Sequence, residues 1–290
     1  MEIILGKSSG FCFGVETAVN KAFNESLTCN NLYCLGELVH NSQVIKILTD
    51  NGIKFISQIE DAPFDAKIIF RAHGVEKDTY IKARNKNLDI IDLTCPKVKD
   101  IHNRIIKKKD DSFILLIGKK NHPEVIGSIS YKKEGTVIEN FDDINSAYQI
   151  FLNSQMKKIY VLSQTTFSSL KFDELTKKIR EVFQNFDIKI DKTICNTTLK
   201  RQEETNYLSK MVSKMLIIGS KNSSNTKELF LVAKNNLEDT YLIETIDDLE
   251  NITFQSKDII GVIASASTPK TSINEVINYL ENICTKKRIK

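Results

Sequence analysis

Short apolar runs recur along the chain, and each is followed by a polar turn and by a longer segment whose apolar residues have helical spacing. The runs at 32–35, 113–117 and 215–218 predict buried strands, and the segments at 43–51 and 227–236 predict helices. Strands that alternate with helices of this length are typical of parallel sheets. The pattern therefore predicts an α/β protein.

The same criteria predict the other elements. Further strands are expected at 1–5, 67–70, 90–93, 136–138, 158–162, 241–243 and 259–263. Further helices are expected at 16–26, 77–87, 97–109, 124–133, 170–185, 199–211 and 271–283. Most predicted strands thus lead directly into a helix, as they do in βαβ units.

One motif occurs three times when the sequence is aligned on a glycine: YCLGELVHNSQV at 33–44, LLIGKKNHPEVI at 115–126 and LIIGSKNSSNTK at 216–227. Two polar positions recur four and six residues after the glycine, and they hold His40 and Ser42, His122 and Glu124, and Ser223 and Asn225. Three cysteines keep step 24, 23 and 24 residues before the glycines, namely Cys12, Cys95 and Cys195. Such internal periodicity indicates a repeated structural unit.

A second apolar run after each glycine ends in another polar turn: RAHGV at 71–75, SQTTF at 163–167 and SASTP at 265–269. Each third of the chain thus supplies one cysteine and two polar turns. The simplest arrangement is three similar α/β lobes with parallel sheets around a pseudo-threefold axis, with the turns facing a central cavity. We predict lobes at 14–95, 96–194 and 195–290, the last completed by the N-terminal strand segment 1–13.

Composition adds a few limits. The chain has 290 residues, of which 41% are hydrophobic, enough for more than one core. The formal charge is only +4, and lysines spread over predicted helix faces favour a solvated surface over a nucleic-acid interface. Because neither a signal peptide nor a bilayer-length apolar run is found, we expect a soluble, cytoplasmic protein without membrane contact.

Six cysteines in a cytosolic chain favour metal or redox chemistry over a disulfide framework. Three thiolates, one from each lobe, suit a [4Fe–4S] cluster whose fourth iron has no protein ligand and can bind a substrate oxygen. A three-thiolate zinc site and buried structural cysteines are the alternatives. The other three cysteines do not repeat between lobes and are interpreted as structural: Cys29, Cys34 and Cys284.

The repeated turns are rich in hydrogen-bonding side chains at predicted helix starts, where free N–H groups favour anions. A phosphate or diphosphate suits this set: His40, Asn41, Ser42, His73, His122, Thr165, Thr166, Ser223, Ser224, Asn225 and Ser267. Helix capping is a compatible alternative for Ser223, Ser224 and Asn225. His102 lies outside the repeat and is interpreted as structural or surface.

Glu124 is the one carboxylate at these repeated positions, where it would repel a bound anion. Delivery of a proton to a departing hydroxyl would explain its presence. Favourable interaction with the helix dipole is the alternative interpretation. We predict a catalytic Glu124 assisted by His122 and Thr165.

The sequence resembles the family of 4-hydroxy-3-methylbut-2-enyl diphosphate reductases (IspH/LytB), which act last in non-mevalonate isoprenoid biosynthesis. The matching segments are GFCFGV at 10–15, RAHGV at 71–75, DLTCPKV at 92–98, NHPEVIG at 121–127, SQTTFS at 163–168, the stretch from Cys195 to Arg201–Gln202, KNSSNT at 221–226 and SASTP at 265–269. These segments span nearly the whole chain in order.

The resemblance implies a [4Fe–4S] cluster on Cys12, Cys95 and Cys195, with Glu124 as proton donor and Thr165 beside the substrate hydroxyl. It implies diphosphate binding by His40, His73, His122, Ser223, Ser224, Asn225 and Ser267. The implied reaction is a two-electron reductive dehydroxylation that gives isopentenyl and dimethylallyl diphosphates, with electrons from ferredoxin or flavodoxin.

Two residues depart from the family pattern: Thr17 stands where arginine is common, and Ser265 stands where glycine is frequent. Ser265 puts the contact from Ser267 in doubt. Two other functions stay open on the residues alone. One is a metal-dependent hydrolase or dehydratase of a phosphorylated metabolite that does no redox chemistry, and the other is a module that only binds an anion.

Overall fold

The computed structural model describes residues 1–108 and 111–288, with the backbone alone for 284–288. Its contacts divide the chain into two compact units. The first comprises Met1–Glu16, His40–Ile45 and Asn196–Lys290, and the second comprises Thr17–Val39 and Lys46–Cys195. Helices α1 (Phe13–Ser26) and α2 (Ser42–Asp50) each have residues in both ranges.

The first unit is built on one parallel sheet of four strands in the order β1-β12-β10-β11. Its strands are β1 (Glu2–Leu5), β10 (Lys214–Ile218), β11 (Thr240–Ile243) and β12 (Ile259–Ala264), and its helices are α8 (Asn196–Leu208), α9 (Ser224–Lys234) and α10 (Lys270–Arg288). Alternate residues of β10 enter two separate cores, since Leu216 packs near α10 and Ile217 packs near α8 and α9. The sheet is therefore covered on both faces.

The second unit contains two parallel sheets, in the orders β3-β2-β4-β5 and β7-β6-β8-β9. The strands are β2 (Leu32–Leu35), β3 (Lys54–Ile56), β4 (Lys67–Phe70), β5 (Asp89–Asp92), β6 (Ser112–Ile117), β7 (Gly135–Ile138), β8 (Lys158–Ser163) and β9 (Asp187–Ile190). The helices are α3 (Lys77–Asn85), α4 (Pro96–Ile106), α5 (Pro123–Ile129), α6 (Asp142–Asn153) and α7 (Ser169–Val182). All residues of β2 and β6 are buried, as expected for central strands of parallel sheets.

All three sheets have the same strand order. β1 occupies in its sheet the edge position that β5 and β9 occupy in theirs, next to β12, β4 and β8 respectively. The parallel pairing throughout confirms the predicted α/β class. The lobe boundaries and the pseudo-threefold axis stay predictions.

Several predicted boundaries were wrong. Helix α1 begins at Phe13, three residues before the predicted start, and it includes Gly14. Helix α5 ends at Ile129 instead of residue 133, where Ser130 Oγ donates to the carbonyl of Gly127. β3, α6 and β9 were not predicted. Lys109, the expected end of the helix at 97–109, and residues 289–290 of the expected third lobe lie outside the described residues.

None of the described helices combines the length and the apolar character needed to cross a bilayer.

Candidate active site

Each of the three repeated cysteines is the last residue before a helix. Cys12 precedes α1, Cys95 precedes α4 and Cys195 precedes α8. The backbone N–H of each donates to the carbonyl of an equivalent residue in the turn after the neighbouring strand: Cys12 to Ala266 at 3.2 Å, Cys95 to Ala72 at 2.9 Å and Cys195 to Thr165 at 2.9 Å. The same backbone bracket thus holds all three cysteines beside the carboxyl ends of β12, β4 and β8.

The three bracketed cysteines form no disulfide within the described part of the chain, and each is partly exposed. Cysteine sulfurs are the ligands that hold iron–sulfur clusters. Cys34 provides a contrast, because its burial in β2 raises the pKa of its thiol to about 12. The donor set of Cys12, Cys95 and Cys195 therefore fits a cluster, whereas Cys34 is suited to packing.

Glu124 lies in the first turn of α5 and is almost completely buried. Its two carboxyl oxygens accept hydrogen bonds from Thr165, Oε1 from the backbone N–H at 2.6 Å and Oε2 from Oγ1 at 2.7 Å. Burial raises the pKa of Glu124 from 4.5 to about 7, although the two bonds from Thr165 lower it. The side chain can therefore exist in either protonation state near neutral pH.

His122 is the N-cap of α5, and its Nδ1 accepts a hydrogen bond from the Glu124 backbone N–H at 3.1 Å. A neutral ring that accepts at Nδ1 carries its proton on Nε2. The His122 ring also meets the His73 ring edge to face, with 5.4 Å between the ring centroids. Contacts therefore run without interruption from His73 through His122, Glu124 and Thr165 to Cys195, all within the second unit.

Helix α5 packs closely against the turn after β6, and Gly118 in that turn leaves room for it. A Cβ at Gly118 would lie 2.6 Å from Val125 Cγ2 and 3.0 Å from Gln164 Cβ. Gln164 Oε1 accepts from the Lys119 backbone N–H at 3.0 Å. Gln164 was not among the predicted site residues, although its place at the start of the SQTTF turn was a usable signal.

The corresponding turn of the first unit leads into α9. Ser223 is the N-cap, and its Oγ accepts from the Thr226 backbone N–H at 3.3 Å. Ser224 and Asn225 are buried, yet Ser224 Oγ and both polar side-chain atoms of Asn225 have no hydrogen-bond partner within the described part of the chain. A buried polar atom without a hydrogen-bond partner costs free energy of folding. At a helix start such atoms are suited to binding an anionic ligand.

Ser267 follows β12 in the same unit, and its Oγ donates to the carbonyl of His40 at 3.1 Å. Ser265 is fully buried, and its Oγ lies 3.1 Å from Thr268 Oγ1. A Cβ at Gly219 would lie 2.5 Å from Ser265 Oγ, so the Ser265 side chain fills the space that this glycine leaves. Ser265 therefore packs beneath the turn, and Ser267 still reaches His40.

The first repeated turn differs in its cap. Asn41, one residue after His40, accepts from the Val44 backbone N–H through Oδ1 at 3.0 Å, and α2 begins at Ser42.

Outside the repeat, His102 is buried and stacks on Tyr131 with 4.5 Å between ring centroids. Burial lowers the pKa of His102 to about 4, which makes the ring neutral at physiological pH.

Comparisons with known proteins define the class. The family model described as LytB protein matches residues 3–281. The 4-hydroxy-3-methylbut-2-enyl diphosphate reductase of Campylobacter fetus subsp. fetus is 39% identical over 99% of both chains, and that of Alkaliphilus oremlandii is 38% identical over 98% of this chain and all of its own. The solved structure of the E-1-hydroxy-2-methyl-but-2-enyl-4-diphosphate reductase from Plasmodium falciparum has a TM-score of 0.86 and 29% identity, over 96% of this chain and 87% of its own.

The fold and these relatives place the chain among the α/β oxidoreductases. It belongs to the LytB protein family of 4-hydroxy-3-methylbut-2-enyl diphosphate reductases.

Proposed function

We propose that the protein is an iron–sulfur reductase that converts 4-hydroxy-3-methylbut-2-enyl diphosphate to isopentenyl and dimethylallyl diphosphates in the non-mevalonate isoprenoid pathway. The substrate receives two electrons and two protons, its C–O bond breaks, and the hydroxyl leaves as water. The observation that carries the proposal is the buried Glu124–Thr165 pair, with the Glu124 pKa at about 7. A general acid is most effective when its pKa lies near the working pH.

Glu124 supplies the proton in this proposal. When it is protonated, its hydrogen bond with Thr165 Oγ1, 2.7 Å long, can reverse direction, so that the Thr165 hydroxyl passes a proton to the departing hydroxyl. His122 fixes the start of α5 through the Glu124 backbone N–H, which keeps the carboxyl group in place. Burial of the pair excludes water, so a proton on Glu124 stays available for the substrate.

We assign the cluster to Cys12, Cys95 and Cys195, whose partial exposure and matching backbone brackets support the assignment. A bound [4Fe–4S] cluster with an open fourth iron supplies single electrons and a Lewis-acidic position for the substrate oxygen.

We assign the diphosphate to two groups of residues. In the first unit they are His40, Ser223, Ser224, Asn225 and Ser267, and in the second they are His73 and His122. The unpartnered polar atoms at the start of α9 support the assignment most directly. Ser224 and Asn225 offer hydrogen bonds that a diphosphate would complete, and the helix start favours its charge.

Ferredoxin or flavodoxin is the proposed electron donor, and a cytoplasmic location is the proposed site of action. Neither nucleic acid nor a membrane is needed as a partner. Separate reduction assays with each purified donor test the first point, and cell fractionation tests the second.

An anaerobic assay with dithionite, a dye mediator and the hydroxylated C5 diphosphate tests the reaction. We expect both C5 products and a brown protein that absorbs broadly at about 400 nm. A colourless protein with bound zinc that hydrolyses or dehydrates a phosphorylated metabolite would instead support the non-redox alternative. Binding of the substrate without turnover would leave only an anion-binding module.

The cysteine assignment has its own test. Cys95→Ser should lose or degrade the cluster, measured as iron and sulfide per chain, while Cys34→Ser should retain both. An intact, fully active cluster in the Cys95→Ser protein would remove Cys95 from the ligand set.

A further inference from the structure

Arg201 is one of the largest fully buried side chains in the described chain, and none of the roles assigned above uses it. It lies on α8, about one and a half turns after the helix begins next to Cys195. Its Nε donates to the carbonyl of Ser8 at 2.7 Å, and its Nη2 donates to the carbonyls of Ser8 and Gly10, the latter at 2.8 Å. The guanidinium therefore binds the backbone of the segment 7–11, which leads directly to Cys12.

Glu204, one helical turn after Arg201, binds the same segment from its N–H side. Glu204 Oε1 accepts from the Lys7 backbone N–H at 2.6 Å, and Oε2 accepts from the Ser8 backbone N–H at 2.8 Å and from Ser8 Oγ. Burial opposes the charge of Glu204, but these bonds and the charge of Arg201 hold its pKa below the usual value. At Ser8 the backbone N–H is therefore bound by the Glu204 carboxylate, and the backbone carbonyl is bound by the Arg201 guanidinium.

The other side of the segment is fixed by the strand end that also carries the Cys12 bracket. Ser9 Oγ accepts from the Ala264 backbone N–H at 3.1 Å, and the Gly10 N–H donates to the Ala264 carbonyl at 3.4 Å. Gly10 has φ +95°, a conformation that favours glycine, so the backbone here follows one specific path. Without the α8 contacts, only this side would hold the path.

We propose that Arg201 and Glu204 are positioning residues that hold the 7–11 segment so that Cys12 is presented in one fixed geometry to the cluster. In this role both side chains act through the backbone before Cys12, to which they are hydrogen-bonded. The inference rests on the proposed role of Cys12 as a cluster ligand. Residues that orient metal ligands commonly change metal retention by about 10- to 100-fold when they are replaced.

Arg201→Lys and Glu204→Gln test the proposal. Lysine keeps the charge but has no planar fork for two carbonyls, and glutamine keeps the shape but only one acceptor oxygen. Glu203→Gln is the matched control, because Glu203 is the exposed neighbour on the same helix. The readouts are the rate of iron release to a chelator from the reconstituted protein and the hydrogen exchange of amides 7–12 in the cluster-free protein.

We expect iron release to be about 10-fold faster in Arg201→Lys and several-fold faster in Glu204→Gln, with no change in Glu203→Gln. Exchange at amides 7–12 should accelerate in the first two variants, while exchange in β10 and β12 stays as in the wild type. Wild-type release and exchange in Glu204→Gln would overturn the proposal, even if Arg201→Lys failed to fold.

Cys12→Ser distinguishes the role of Cys12 as a cluster ligand from the positioning role of Arg201 and Glu204. Loss of the cluster in Cys12→Ser, together with normal iron release in both α8 variants, would overturn the positioning role alone. A complete cluster in Cys12→Ser would overturn the ligand assignment, and the positioning role with it.

Discussion

The starts of α5 and α9 are two copies of the same turn, yet their polar side chains are in opposite states. Glu124, the second residue of α5, has both carboxyl oxygens bonded by Thr165. Asn225, the second residue of α9, has no hydrogen-bond partner for its side chain among the described residues. One copy is complete without a ligand, and the other is not. We infer that the two turns share a backbone but differ in role. In the proposed reaction Glu124 of the first turn donates a proton, and Asn225 of the second binds the anionic diphosphate.

The largest expected effect concerns the complete copy. Glu124→Gln removes the acid but keeps the shape and one acceptor, so we expect turnover to fall about 10²- to 10⁴-fold with little change in KM. Anaerobic steady-state kinetics measure both parameters. Asp78→Asn, which removes an exposed first-turn acid from α3, is the control for a general helix-dipole effect. A near-normal rate in the Glu124→Gln protein would remove Glu124 from the mechanism.

The pH dependence of stability is the second test of the same copy. The folded-state pKa of Glu124 is about 7, above its usual 4.5, so the folded protein binds more protons between these values. The contribution of Glu124 to the free energy of unfolding should therefore decrease by about 2 kcal/mol as the pH rises from about 5 to 8. Denaturant unfolding of the wild type and of Glu124→Gln measures it: the difference between them should change across this range, and a constant difference would contradict the raised pKa.

Changes at the start of α9, the turn whose polar side chains lack partners, should affect the binding of the diphosphate. Asn225→Ala removes hydrogen bonds that only the ligand would complete, so we expect about 10-fold weaker binding of the substrate and of inorganic pyrophosphate. Isothermal titration of the cluster-free protein with pyrophosphate measures the second quantity. Asn236→Ala, beyond the other end of α9, is a control that should leave binding unchanged. Unaltered affinity in Asn225→Ala would place the diphosphate elsewhere.

The smallest effect separates two neighbouring serines. Ser224→Ala removes a buried hydroxyl without a partner, so the free energy of unfolding should change by less than about 0.5 kcal/mol. Ser223→Ala removes the N-cap of α9 and should cost about 1 kcal/mol. Thermal or urea unfolding of the two variants side by side measures the contrast. Equal losses in both proteins would mean that Ser224 has an internal role after all.

The α/β class was predictable because the central strands are fully apolar and return at regular intervals, as in 32–35 and 113–117. The short β3 and the edge strand β9 escaped prediction, since three residues or an exposed alternation such as DIKI carry a weak signal. The equivalence of the cysteines was visible as a constant spacing, but the shared bracket to Ala72, Thr165 and Ala266 required coordinates.

Long-range partners were beyond prediction for the same reason. Arg201 stood out only as part of a matching segment, and the carbonyls it binds lie 193 and 191 residues away in the chain. Glu124 was predicted as an acid, but Thr165 as the source of both its hydrogen bonds is a tertiary fact. The repeat aligns His40 with the N-caps His122 and Ser223, but the N-cap of α2 is Asn41, one residue later. Its amide oxygen accepts from the Val44 backbone N–H, a contact that the alignment did not indicate.

β1 pairs with β12, although some 255 residues separate the two strands in the chain. The backbone N–H of Cys12 donates to the carbonyl of Ala266, so two segments far apart in the chain must meet before this bracket exists. Contacts between such distant residues require closure of a long loop and are slow to form. Cys12 is therefore expected to reach its final position only after the local βαβ units have folded.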